Sequence, residues 1–303
     1  MPTRTRAPRR RGNLAPIAFV APFLLLFLLT FAAPIAYAVY QSVMDVERTG
    51  PLGLGSSRTV FVALSNYSEA LSDHAFLRSI GRVLLFAAVQ VPVMVALAAG
   101  LALLLDTASA RGVRFFRAAY FLPYGVPGVI ASILWGFLYV PGVSPLVDGM
   151  RHLGVSVDLL GGDTVLWSIA NIVTWEFAGY NVLVLVAQLR TIPTELYEAA
   201  RIDGASAWMT VRHVKLPLLR PALVLTTVFT IIGTLQLFAE PLVLKPVSSS
   251  IDSAYTPNLS AYNEAFTNDN YHLAAAEAVL LALAAFVLSF GFLRLVNKRG
   301  GDA

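Results

Sequence analysis

Six stretches of the chain are almost unbroken apolar runs, at about 14–40, 80–105, 117–140, 164–189, 222–244 and 272–296. Each is long enough for a helix to cross about 30 Å of hydrocarbon, which takes roughly 17–25 residues. The pattern therefore predicts an all-α integral membrane protein with six transmembrane helices. The first run follows Arg4, Arg6, Arg9, Arg10 and Arg11 and contains Ala36-Tyr37-Ala38, so it has the look of a cleavable signal. It is longer than the ~7–15 residues of a signal core and is read as the first span. Pro92 in the second span, and Pro123 with Pro127 in the third, each remove a helical donor and are expected to bend their helices.

Composition agrees with this reading. The chain has 303 residues, of which 57% are hydrophobic and 13% charged, and its mean hydropathy is +0.69. That balance argues against a soluble enzyme and against disorder. Without a single cysteine there is no disulfide, thiolate metal site or Cys nucleophile to consider. A net charge of +4 could suggest nucleic acid, but the basic residues follow the loops between spans and gather on no one binding face, so no nucleic-acid partner is expected.

Sixteen of the 22 Lys and Arg fall on one side of the predicted spans: the five N-terminal arginines, Arg111, Arg114, Arg117, Arg190, Arg201, Arg212, Lys215, Arg220, Arg294, Lys298 and Arg299. Arg48, Arg58, Arg78, Arg82, Arg151 and Lys245 fall on the other. Positive residues are retained on the cytoplasmic side, which places both termini in the cytoplasm of a multi-pass cell-membrane protein. The organisation expected is a basic tail at 1–13, a first span with its outer loop at 14–79, a transmembrane core at 80–296 and a short tail at 297–303. The outer loops, about 41–79, 141–163 and 245–271, are rich in Gly, Pro, Ser and Asn.

The cytoplasmic stretch 190–221 is too polar to cross a membrane and too patterned for a plain linker. Pro193 suits the first turn of a helix and Gly204 the left-handed position that ends one. Ser206 can cap a second short helix, expected to stop before Pro217. Ala199 and Ala200 give the first helix a small-residue face, edged by Glu198 and Arg201. From the residues alone, this object is equally a docking surface or an amphipathic helix at the lipid headgroups, which Trp208 would also suit.

The spacing Glu198-Ala199-Ala200, three residues, Gly204, nine residues, Val214-Lys215-Leu216-Pro217 resembles the coupling loop of permease subunits of binding-protein-dependent ABC importers. The resemblance covers nearly the whole chain and is to the carbohydrate-uptake branch, of maltose and glycerol-phosphate type. It is carried by Asn66-Tyr67, Arg114-Phe115-Phe116-Arg117-Ala118 leading to Leu122-Pro123, Trp135, Trp175, Glu195 to Ala200 running into Asp203-Gly204-Ala205-Ser206, and Tyr262 to Phe266 followed by Tyr271. One departure stands out: that branch often has a Thr-Gly-Gly-Pro-like turn after the fifth span, and this chain has Leu244-Lys245-Pro246-Val247.

The resemblance implies a type I ABC importer permease fold and a carbohydrate substrate delivered by an extracytoplasmic binding protein. The long opening span, with Pro16, Pro22 and Pro34, is similar to one member of a permease pair and implies a heterodimer. Glu198, Ala199, Ala200, Asp203, Gly204, Leu216 and Pro217 would form the contact with a cytoplasmic ATPase dimer. ATP and Mg would be held by that dimer, because a P-loop needs Lys after Gly and the three lysines here, Lys215, Lys245 and Lys298, follow other residues. No cofactor or metal is expected in this chain, which is not itself an enzyme.

Ionisable and polar residues deep in spans point to a substrate path. Glu176 lies about 12 residues into the fourth span, near the bilayer midplane at about 1.5 Å per residue. Tyr180 lies one turn on, Trp175 and Asn181 are close by, and Gly233, Thr234 and Gln236 reach similar depth in the fifth span, with Glu240 one turn beyond Gln236. Such residues offer hydrogen bonds to sugar hydroxyls and aromatic faces to sugar C–H groups. The competing reading is structural: Thr226, Thr230 and Thr234 at helical spacing hold helices together, Trp175 fills space, and Arg82 and Glu277 near outer span ends snorkel or form an ion pair. An ion-coupled secondary transporter is the alternative class. A polytopic membrane enzyme is weakly supported, since His74, His152, His213 and His272 are scattered.

Overall fold

The structure is a computed structural model in which residues 15–48, 56–106 and 112–300 are described. The N-terminal arginines, Arg111 and the tail 1–13 lie outside the described residues, as do residues 301–303. Five helices are long and apolar enough to cross a membrane, and a sixth span arises if one sharply bent pair is counted as one.

The first span joins α1 (Ala15–Phe27) to α2 (Ala33–Ser42) through a π turn at Leu28–Ala32. Ala33 N–H reaches back five residues to the Leu28 carbonyl immediately before Pro34. Widening the turn lets the helix pass a proline that has no N–H to offer. A two-stranded antiparallel hairpin follows, β1 (Met44–Arg48) and β2 (Ser57–Phe61), with Val46 opposite Thr59. It is a strand element in a chain read as all-helical. Helix α3 (Ser65–Ser72) comes next. Asn66 donates to the carbonyls of Ser42 at 3.0 Å and Met44 at 2.8 Å, and Tyr67 meets Ser42 Oγ at 2.6 Å. The Asn66-Tyr67 pair thus fastens the end of the first span.

Helix α4 (His74–Leu105) is the second span, capped by Asp73, whose carboxylate accepts from Ala75 and Phe76. The third span comprises α5 (Val113–Phe121), a 3-10 turn (Leu122–Gly125) and α6 (Gly128–Tyr139), with a bend of 99° between its halves. Pro123 and Pro127 act together here, since Pro127 begins α6 in an extended conformation at ψ 133°, so what was expected as kinks is a broken span. After a short helix α7 (Pro145–His152), α8 (Val165–Leu189) forms the fourth span.

Two helices follow in the stretch 190–221, α9 (Thr194–Ile202) and α10 (Ala207–Thr210). Pro193 caps α9 from one position outside its first turn. The second helix does not stop before Pro217. It runs through a π turn at Val211–Lys215 into α11 (Leu216–Leu235), and Leu216 N–H bonds the Val211 carbonyl. This repeats the device used ahead of Pro34.

The fifth span is itself interrupted: α11 ends at Leu235, residues 236–238 are non-helical, and α12 (Ala239–Leu244) resumes. Pro241, in the first turn of α12, has no N–H for the Leu237 carbonyl four residues back, which favours a break there. Helix α13 (Pro257–Phe266) precedes α14 (Tyr271–Gly300), the last span, which continues through 297–300 where a tail was expected.

Helix α8 is the axis of the bundle, packed on α4, α5 and α11. One apolar core joins Ile169, Ile172 and Val173 to Phe86, Met94, Tyr139 and Leu244. A second lies towards the segment 190–221, with Val182, Leu185 and Leu189 against Ala98, Ala102, Leu105 and Leu219. The outward faces of the spans carry Leu, Phe and Val in the open, such as Phe23, Leu85, Leu134 and Phe286, as lipid contact requires.

Gly179 makes the tightest crossing. A Cβ there would lie 1.8 Å from the Tyr120 carbonyl oxygen and 2.5 Å from its carbon. Only glycine lets α5 lie this close to α8.

Candidate functional site

The chain presents two separate regions of functional interest, a cavity beside α8 and the segment 190–221 at one end of the bundle. The cavity, of about 620 Å³, opens between α8, α11 and the broken stretch 236–238. Tyr180 and Asn181 reach it from α8, Thr230, Gly233 and Thr234 from α11, and Gln236 and Glu240 from the break and α12. Irregular backbone at membrane depth is tolerated where it lines such a space.

The aromatic side of the cavity includes Tyr124, which the sequence reading overlooked. Its ring stacks on Tyr180 at 5.1 Å between centroids and meets Phe177 edge-on at 6.0 Å. The bend in the third span delivers Tyr124 there, and that bend was only half visible as two prolines. Phe238, on the opposite side, contacts Tyr262 at 5.3 Å, so the Tyr262 to Phe266 segment backs the cavity.

Of the six residues expected along the path, Tyr180, Asn181, Gln236 and Glu240 line the cavity, and Trp175 and Glu176 do not. Trp175 lies two residues from Val173 on another face of α8 and meets Trp135 edge-on at 5.9 Å within the apolar core. Glu176 is on the cavity side of α8, but the first residue of α6 covers its carboxyl: a Cβ on Gly128 would lie 3.3 Å from Oε1 and 3.4 Å from Oε2. Oε2 is buried without a hydrogen-bond partner.

The threonine row bonds mainly within its own helix, where helix-to-helix bonds were expected. Thr226, Thr230 and Thr234 each donate to the carbonyl four residues earlier on their own helix, at 3.0, 2.8 and 2.6 Å. Asn181 bridges to Thr230 at 3.4 Å. Arg82 and Glu277 do not pair with each other. Arg82 donates to the Tyr255 carbonyl at 2.6 Å and lies over its ring at 4.1 Å, and Glu277 accepts from Ser260 at 3.2 Å.

In the segment 190–221, Gly204 has φ +75°. Ala205 N–H bonds the Ala200 carbonyl at 2.9 Å and Gly204 N–H that of Arg201 at 3.1 Å, the paired bonds of a Schellman ending. Glu195 in the first turn of α9 and Arg201 in the last complement the helix dipole. Glu198, Ala199, Asp203, Gly204 and Pro217 are exposed, and Ala200 and Leu216 half-buried. Ile202 is 86% exposed, and Trp208 and Met209 are also in the open.

What fastens this exposed unit is a second feature the sequence reading overlooked. Lys215, 8% exposed, forms a 2.8 Å ion pair with Asp106 at the end of α4. Its ammonium lies 5.4 Å from the centre of the Tyr197 ring on α9. Burial raises the Tyr197 hydroxyl above the ordinary tyrosine pKa, and the Asp106 charge pushes the same way. Lys215 thereby ties α4, α9 and the start of α11 together. Breaking a partly buried pair from one side leaves the other charge uncompensated and costs more than removing both partners. Asp106→Asn or Lys215→Met is therefore expected to lower the melting temperature in detergent, and the double variant to recover most of the loss. Strictly additive losses would show that the pair is not coupled.

A polytopic bundle whose broken helices surround a solute-sized cavity, with an exposed helical loop fixed at one end, is the build of a membrane permease. The chain belongs to the family of binding-protein-dependent transport system inner membrane components, matched over residues 62–300. It is 34% identical over 296 residues to the sn-glycerol-3-phosphate transport system permease protein UgpA of Agrobacterium fabrum, covering 95% of this chain and 96% of that one. It is 28% identical to the probable starch degradation products transport system permease protein AmyD of Thermoanaerobacterium thermosulfurigenes, over 93% of each. The trehalose transport system permease protein SugA of Mycobacterium tuberculosis is 29% identical, over 93% of this chain and 89% of that one. The fold matches a chain of a bacterial ABC transporter that imports the acidic polysaccharide alginate, with a TM-score of 0.80 at 18% identity, covering 94% and 96% of the two chains.

Proposed function

We propose that this chain is one of two transmembrane subunits of an ATP-driven importer, carrying a carbohydrate handed over by an extracytoplasmic binding protein. The observation that carries the reading is the short helix α9, exposed on one side, closed by a Schellman turn and locked on the other side to α4 and α11. A plain lipid-lying helix has no need of a buried ion pair beneath it. A lever that receives a push does. Glu198, Ala199, Ala200, Asp203 and Gly204 receive the ATPase, with Leu216 and Pro217 flanking them.

The distribution of Lys and Arg supports a cytoplasmic position for this loop and both termini. Closure of the ATPase dimer on ATP and Mg moves the loop, and the loop moves α4 and α11, two of the helices that border the cavity. Inward-facing and outward-facing arrangements must lie close in energy for nucleotide and solute to bias them. Tyr180, Asn181, Gln236 and Glu240 meet the substrate, with Tyr124 offering it an aromatic face. The relatives named for starch products and trehalose support a sugar.

The test is purification in mild detergent from the native membrane, identifying every stoichiometric partner and measuring ATP hydrolysis. A second permease and an ATPase are expected to accompany the chain. A chain that purifies alone and transports without ATP would sink the reading in favour of an ion-coupled carrier, whose substrate sites also use broken helices.

A further inference from the structure

The cavity wall carries hydroxyl, amide, aromatic and carboxyl groups, and among the described residues no Lys, Arg or His lines it. Glu240, 7% exposed, faces the space, and Glu176 lies buried behind the wall at 6%. Basic residues are absent along the whole of α8 and α12. On α11 the one basic residue is Arg220, ten residues before Thr230 and so about 15 Å away along the helix. It is engaged with the Val296 carbonyl at 2.9 Å. On α4, Arg82 lies about 18 Å along the helix from Met94, the residue that reaches the cavity.

An anionic solute entering this space would give up water for a wall with no compensating cation and would approach a carboxyl group. A neutral sugar would find donors and acceptors in Asn181, Gln236 and Glu240. We propose, building on the importer reading above, that this subunit's path selects against anionic solutes and takes neutral or amino sugars, excluding phosphate esters and uronates. This separates the chain from what its 34% identity to a permease named for sn-glycerol 3-phosphate would suggest.

The chain contains no cysteine, so Gln236→Cys places a single thiol of this subunit in the cavity. In the purified importer, its modification by the trimethylammonium-ethyl and sulfonatoethyl methanethiosulfonates is followed by the mass of this chain. Each rate is divided by the same reagent's rate with mercaptoethanol. The cationic reagent is expected to win by about tenfold, the size of effect one partly screened charge produces, and Glu240→Gln in the same background to bring the ratio towards one. Gly233→Cys, whose added Cβ meets nothing within 4 Å, repeats the measurement at a second point.

Equal rates, or a faster anionic reagent, would overturn the proposal. So would ATP-dependent uptake of sn-glycerol 3-phosphate into proteoliposomes at a rate matching that of a neutral disaccharide such as trehalose. If instead the ratio holds and the vesicles take up amino acids but no sugar, the carbohydrate reading fails while the charge selection stands.

Discussion

Replacing Gly179 with valine is expected to abolish recovery of a folded permease. The atom met 1.8 Å from the added Cβ is a backbone carbonyl oxygen, and the Phe121 Cα at 3.1 Å stands behind it. No rotamer change relieves such a clash, so α5 must leave α8. Overpacking of cores costs about 1–3 kcal/mol even where side chains can yield, and here a main chain must give way. Gly179→Ala should already lower the melting temperature sharply, and Gly179→Val should give no single peak on size-exclusion chromatography in detergent. Wild-type yield and melting from Gly179→Val would show that the two helices are not this close. The position also matters for the cavity, because the crossing at Tyr120 is what brings Tyr124 onto Tyr180 four residues later.

Gly204 should fail in the opposite way, with transport lost and the fold kept. A Cβ there meets nothing within 4 Å, so space is no obstacle, but at φ +75° a β-branched residue is a genuine outlier. Gly204→Val is expected to insert and assemble normally while ATP-driven uptake falls by at least about tenfold, because residues 198–204 no longer present one fixed surface. Gly204→Asn should retain much of the uptake, since Asn enters the left-handed region more readily. Normal uptake by Gly204→Val at normal expression would count against the loop as the lever. A loss of assembly equal to that of Gly179→Val would mean the loop is structural.

Much of the fold was legible because a bilayer imposes so strong a constraint. Apolar runs of about 20 residues have few alternatives, and the four uninterrupted or gently modified spans, the first, second, fourth and sixth, follow their runs closely. The breaks were less legible for a physical reason. Residues 235–238 read Leu-Gln-Leu-Phe, apolar enough to hide an unwound backbone, and the clue, Pro241, acts on the carbonyl four residues earlier. Pro217 misled in the other direction, since a wide turn ahead of it lets the helix pass. The hairpin offered two five-residue strands, Met-Asp-Val-Glu-Arg and Ser-Arg-Thr-Val-Phe, too polar to register against the apolar runs around them.

For the candidate site, depth along the helix was readable and direction was not. Glu176 and Tyr180 are one turn apart, yet the carboxyl is roofed by Gly128, a residue whose approach depends on the 99° bend elsewhere. The Lys215 to Asp106 pair spans 109 residues of sequence, and no spacing rule connects them. The Schellman ending at Gly204 was plain, because it is local.

If the cavity is a transport path it must also stand empty for part of every cycle, and the hydroxyls of Thr230 and Thr234, which line it, are suited to vacancy. Each donates its proton to its own helix and keeps at least one oxygen lone pair spare, Thr230 having engaged the other with Asn181. When solute leaves, no donor is stranded, so the drained path carries no penalty for buried unmet hydrogen bonds along this row. A passing hydroxyl group finds acceptors that hold it briefly, and the wall has no need of it to stay intact. Weak retention of this kind favours throughput over storage, which is what separates a conduit from a receptor.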